Sequence, residues 1–238
     1  MAKKDKKSKK GKWSRRAFIG VGGLAGVGLV LGIGGNIYLS RNASRYTGKG
    51  FGDGDSLNAW IRIASDNTIT LAMARSEMGQ GVSTSLPMLI AEELEVDMSK
   101  IKIVAPQPEA AYANTMVLTR EPRNVYSSLS FMEKIAHFLP LTATGGSTSV
   151  PDAYDLLQVM GASARVMLIK AAAKKWGVNE SDCYAENAYV INKSNKERLS
   201  YGSLANEAAK IKLDNPPVLK AKDAVSYTHL TLPTILRV

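Results

Sequence analysis

Arg75-Ser76-Glu77-Met78-Gly79-Gln80-Gly81-Val82-Ser83-Thr84 lies between an alternating apolar segment, residues 68–74, and a segment of helical period, residues 86–94. The pattern predicts a strand, a tight turn and a helix in that order. Two glycines at such a junction let the backbone come close to a ligand, since neither carries a Cβ. Amides that open a helix carry partial positive charge, so the turn suits an anion. Gln80 has both an acceptor and a donor, which suits the edge of a polar heterocycle. Ser83 or Thr84 is the expected cap of the helix, with Pro87 in its first turn.

A second turn of the same build is Thr144-Gly145-Gly146-Ser147-Thr148-Ser149-Val150-Pro151-Asp152. Two glycines are followed by hydroxyls and by a helix start that Pro151 marks. Two readings of it stand. Ser147 or Ser149 caps a long helix, or the amides and the Ser147, Thr148 and Ser149 hydroxyls surround a phosphate. The helix itself is expected over residues 151–176, apolar along Leu156, Val159, Met160, Ala164, Met167, Leu168 and Ala171, and stopped by Gly177.

Around these two turns the pattern is one of short strands and helices. Residues 59–64 and 68–74 read as a hairpin with a turn at Ser65-Asp66-Asn67. The helix after the first turn is expected to reach Val96, with Glu92, Glu93 and Glu95 on a solvated face. Residues 101–104 read as a short buried strand. Residues 105–140 hold four prolines and read as a long loop with a helical stretch over 127–138. Residues 183–185 and 189–191 read as a hairpin, and 199–211 as a short helix. The fold class is α+β, with mixed strands and two main helices.

Charge and cysteine content exclude several functions. The formal net charge is +10, but residues 1–16 alone contribute +8 and the other 222 residues only +2. The basicity belongs to a tail, so general nucleic-acid binding is excluded as a function. Cys183 is the only cysteine, which rules out an intrachain disulfide or an all-cysteine metal or iron–sulfur site in this chain. With only His137 and His229 besides, neither a structural zinc site nor a Ser-His-Asp triad is supported.

The N-terminal part reads as an address. Residues 2–12 form a lysine-rich run, followed by Ser14-Arg15-Arg16-Ala17-Phe18-Ile19 and then an uncharged stretch to Ser40 with eight glycines between Gly20 and Gly35. This is the pattern of a twin-arginine export signal. The stretch is also long enough to serve as an N-terminal membrane anchor. Residues 1–40 are therefore read as signal or anchor, and the glycine-rich residues 41–56 as a linker.

Three runs resemble one family: residues 57–63, Ser76-Glu77-Met78-Gly79-Gln80-Gly81-Val82-Ser83-Thr84, and residues 86–94, joined by the Gly145-Gly146-Ser147 turn. They resemble the molybdopterin-binding large subunits of the xanthine dehydrogenase/aldehyde oxidase family, nearest the isoquinoline 1-oxidoreductase beta-subunit type, which includes membrane-bound aldehyde dehydrogenase subunits. The resemblance covers residues 57–222 or so, which makes 57–224 a partial molybdenum-cofactor-binding domain. It implies a molybdopterin cofactor in its cytosine dinucleotide form, with Gly79, Gln80 and Gly81 on the pterin side. Gly145, Gly146, Ser147 and Thr148 would hold phosphate.

The resemblance also implies an activity: an exported, periplasmic molybdenum hydroxylase acting on an aldehyde or N-heterocycle, with water as the oxygen source. Electrons would pass to a small [2Fe–2S] subunit and on to a cytochrome or quinone. A non-catalytic, membrane-anchored binding module using the same turns is the alternative from another class. Residues 225–238 resemble the translation of a transposon-end sequencing adapter, so the natural sequence is expected to depart after Ala224. The family's activating glutamate is expected beyond that point, which leaves no catalytic residue or metal ligand to assign here.

Overall fold

The computed structural model describes residues 54–213 and 215–221. The expected signal or anchor, most of the linker and the residues from 225 onward lie outside them.

The hairpin forms as the alternation requires. Strands β2 (Ile61–Ile63) and β3 (Ile69–Ala72) pair antiparallel, with Ile61 opposite Leu71 and Ile63 opposite Ile69. A two-residue strand β1 (Asp55–Ser56) adds to β2, so the sheet begins within the stretch read as linker. Strand β4 (Ile101–Val104) joins the other side of β3 and runs parallel to it. The parallel connection is helix α1 (Val82–Leu94), which makes β3, the first glycine turn, α1 and β4 one βαβ unit. β4 is the edge of the sheet among the described residues and its own residues are half-buried or exposed, so the expectation of a buried strand is corrected.

The segment over residues 105–140 is shaped by short pieces. Helix α2 (Met116–Thr119) was not expected. Helix α3 (Phe131–Phe138) was, and it starts at a reciprocal box in which Ser130 accepts from the Glu133 N–H and Glu133 accepts from the Ser130 N–H. Helix α4 (Ser149–Trp176) runs for 28 residues and stops at Gly177 in the left-handed conformation. Strands β5 (Cys183–Glu186), β6 (Tyr189–Asn192) and β7 (Arg198–Ser200) form a second, antiparallel sheet, and helix α5 (Tyr201–Ala208) closes the domain.

The core lies where α4 packs against α1 and the inner face of the first sheet. Trp60 and Tyr112 meet edge to face with ring centroids 5.0 Å apart, and the Tyr112 hydroxyl donates to the Ala59 carbonyl at 2.6 Å. Among the described residues α4 is the one helix long and apolar enough to cross a bilayer, but it is the central core helix here.

Glu92, Glu93 and Glu95 do not form the expected solvated face. Glu93 is buried and pairs with Arg165 at 3.2 Å, and burial pushes its carboxyl above the ordinary range. Lys220 lies 2.7 Å from both Glu92 and Glu95. The chain after α5 returns over the C-terminal end of α1, and that return brings the cation which sequence spacing does not reveal.

Candidate cofactor site

The two glycine turns stand side by side at one end of the domain. Ser76 N–H donates to the Thr144 hydroxyl at 2.9 Å, which pins the start of one turn to the start of the other. Between them opens a cleft of about 480 Å³, with Met78 and Gln80 on one wall and Gly145, Gly146 and Ser147 on the other. Met78 is 68% exposed on its wall.

The first turn is closed on itself. Gly79 and Gly81 have φ of 93° and 78°, the left-handed region that favours glycine. This bends the chain so that the Gly79, Gly81 and Ser83 N–H groups converge on the Glu77 carboxylate at 2.8, 3.0 and 2.8 Å. Those bonds, the one from Ser83 foremost, hold the Glu77 carboxyl down at about 2. Neither Ser83 nor Thr84 caps α1; its N-cap is Gly81 and Glu77 takes the capping role. Pro87 sits in the second turn of the helix, one turn later than expected.

Gln80 is fixed as well. Its Oε1 accepts from the Met78 N–H at 2.6 Å and its Nε2 donates to the Ser76 carbonyl at 2.8 Å. An amide side chain has two N–H donors and two oxygen lone pairs, so one of each remains for a ligand in the cleft.

The second turn is open. Gly146 and Ser147 follow one another at φ of 60° and 57°, and their amides have no hydrogen-bond partner among the described residues. Ser147 is exposed, so its hydroxyl is free to join them. Thr148 differs from what the sequence suggested. It is 3% exposed, its hydroxyl donates to the Gly145 carbonyl at 2.7 Å, and it accepts from Asn114 Nδ2 at 2.7 Å. It serves the inside of the turn, and neither Ser147 nor Ser149 is the N-cap of α4.

Behind the cleft lies a buried ionic cluster that sequence reasoning missed. Asp152 accepts from Arg75 Nη2 at 2.9 Å through one oxygen. Its other oxygen accepts from the Thr115 N–H and hydroxyl, both at 2.8 Å, and from the Met116 N–H at 3.1 Å. Arg123 stands 3.7 Å from the same carboxylate. His137 is buried nearby, its Nδ1 2.6 Å from the Ala110 carbonyl oxygen, and burial lowers its pKa. It touches neither turn.

Of the seven residues singled out from sequence, Gln80, Gly145, Gly146 and Ser147 line the cleft. Gly79 and Gly81 shape the first turn behind it, and Thr148 is turned inward. Glu77 lay within the quoted motif without a role; its signal was its position just ahead of amides that need an acceptor. Arg75 and Asp152 gave no signal beyond an arginine and an aspartate flanking the two turns.

Two glycine turns thus line one cleft at one end of the domain. A family profile described as a molybdopterin cofactor-binding domain matches residues 4–116. The chain is 25% identical over 150 residues to the isoquinoline 1-oxidoreductase subunit beta of Brevundimonas diminuta, covering 63% of this chain and 16% of that one. It is 28% identical over 145 residues to the membrane-bound aldehyde dehydrogenase [pyrroloquinoline-quinone] of Gluconacetobacter polyoxogenes, covering 61% and 15%. The chain thus spans about a sixth of the length of these relatives. CO dehydrogenase from Oligotropha carboxidovorans superimposes at a TM-score of 0.41 with 20% identity, over 67% of this chain and 17% of that one, too loose a likeness to carry an argument.

The chain is thus similar to molybdopterin cofactor-binding domains, by a match that takes in 113 of its 238 residues.

Proposed function

We propose that this chain is the cofactor-binding part of an exported molybdenum hydroxylase that oxidises an aldehyde or an N-heterocycle, with water as the oxygen source. The single observation that carries the reading is the cleft: one wall offers the remaining donor and acceptor of Gln80, the other the amides of Gly146 and Ser147, unpartnered among the described residues. The residues fit a molecule with a polar ring at one end and a phosphate at the other. Gln80 would meet the pterin edge, Gly145 to Ser147 would hold phosphate, and Met78 would cover an apolar face. When bound, the group supplies the two-electron oxidation chemistry; the chain's part is to bind it, orient it and keep it in place.

The cytosine dinucleotide form, a small [2Fe–2S] partner subunit, a cytochrome or quinone acceptor, and a periplasmic or membrane-anchored setting complete the proposal. They rest on the family and on the twin-arginine pattern at Arg15 and Arg16.

The test is metal and pterin content of the chain purified from a host that makes the cofactor. Bound molybdenum with pterin is expected, and Gln80→Ala should lower both. Metal and pterin contents unchanged by Gln80→Ala would overturn the assignment of Gln80. A chain that retains phosphate-bearing ligands but neither molybdenum nor pterin would be the non-catalytic binding module instead. A chain that retains pyrroloquinoline quinone would overturn the pterin reading outright.

A further inference from the structure

Although the two turns look alike in sequence, they differ in one respect that bears on how a ligand lies between them. The first holds its own anion. Three amides, those of Gly79, Gly81 and Ser83, already donate to Glu77, while the Met78 N–H donates to Gln80. In the second turn, the Gly146 and Ser147 amides have no hydrogen-bond acceptor among the described residues.

We propose that Glu77 is a positioning residue that sets the polarity of the cofactor in the cleft: it fills the anion-binding amides of the first turn, so that phosphate is received at Gly145–Ser147. This deepens the molybdopterin reading and rests on it.

The physical argument is one of competition. A carboxylate two, four and six residues from the amides it meets acts at an effective concentration of about millimolar or more. An incoming phosphate must displace it, and Glu77 stays ionised at every ordinary pH because its carboxyl sits at about 2. Charge-assisted bonds to three amides in fixed geometry are also stronger than neutral ones. At the second turn no such displacement is needed. A ligand with a phosphate end and a neutral ring end is therefore driven to one orientation, with the ring against Gln80. Glu77 achieves this without touching the ligand.

The test uses the 238-residue chain, labelled with 15N and free of cofactor, titrated with inorganic phosphate. In the wild type, phosphate should shift the Gly146 and Ser147 amide signals and leave those of Gly79, Gly81 and Ser83 in place. In Glu77→Ala, the latter three should respond to phosphate and to acetate, and acetate should restore the melting temperature that the variant loses. A role in packing alone would give no response to acetate. Where Glu77→Ala does not fold, Glu77→Gln removes the charge and keeps an acceptor, and its Gly79 and Gly81 amides should respond to phosphate more strongly than the wild type's.

Equal phosphate shifts at Gly79 and Gly81 in wild type and variant would overturn the proposal, as would amides in the variant that ignore both anions. Because no molybdenum or pterin enters this titration, its failure is separate from failure of the cofactor assignment, which metal content reads.

Discussion

Arg75 and Asp152 form an ion pair at 2.9 Å with side chains 1% and 0% exposed, joining the residue before the first glycine turn to the first turn of the helix behind the second. It is the interior counterpart of the Ser76–Thr144 hydrogen bond at the surface. Together they fix how far apart the two walls of the cleft stand.

Removing one partner of such a pair leaves the other charge buried and uncompensated. Asp152→Ala strands Arg75 and Arg123 together with the Thr115 donors, so a loss of about 3–5 kcal/mol is expected. Urea denaturation would measure it. The double variant Arg75→Met/Asp152→Leu should recover part of the loss, since two apolar side chains can replace a buried pair. A loss below about 1 kcal/mol for Asp152→Ala would show that the cluster is hydrated.

The Glu77 carboxyl gives a pH dependence of defined sign. Its folded value of about 2 lies below the ordinary 4.5, so its stabilising contribution is complete above pH 4.5 and is lost as pH falls from there through about 2. Melting temperature measured across that window should fall more steeply for the wild type than for Glu77→Gln. Parallel curves would remove Glu77 from the account of the turn.

Gly161 is demanded by close approach. A Cβ there would lie 2.8 Å from the Ile90 carbonyl oxygen and 2.9 Å from the Glu93 Cβ, at the crossing of α4 and α1. Gly161→Ala should therefore force the helices apart and cost about 1–3 kcal/mol. Gly145→Ala meets nothing within 4 Å and should change stability by no more than about 0.5 kcal/mol. Chemical denaturation of the two variants side by side separates a packing glycine from one with open space above it.

Thr148 and Ser147 should part company in the same way. Thr148→Val removes a buried acceptor and leaves Asn114 Nδ2 with one partner fewer, at a cost of about 1–3 kcal/mol. Ser147→Ala alters an exposed hydroxyl and should leave unfolding unchanged while weakening the response of the second turn to inorganic phosphate. Thermal melts and the phosphate titration together distinguish these roles.

Period and punctuation made much of this readable from sequence. The alternation over residues 59–74, the apolar stripe from Leu156 to Ala171 and the stop at Gly177 each carry a local cause that no tertiary contact overrides. The resemblance of the two glycine turns was also visible. What could not be read depends on partners far along the chain. β1 and β7 are too short to show alternation. Exposure of β4 follows from its place at the edge of the sheet among the described residues. Capping by Glu77 replaces the hydroxyls that local rules favour. The charges of Glu93 and Asp152 enter the interior only because Arg165 and Arg75 meet them there, 72 and 77 residues away.

The same long separations impose an order on assembly. The cleft is closed by Ser76 meeting Thr144 and by Asn114 meeting Thr148, with Asn58 reaching Met160 beneath, across 68, 34 and 102 residues. Each of these closures carries a chain-entropy cost that the folded domain has to offset. The receptacle therefore exists only in the folded domain, and a chain held unfolded for transport has none. Loading must follow folding, in whatever compartment holds the ligand, and any crossing of a membrane afterwards has to accommodate the finished domain.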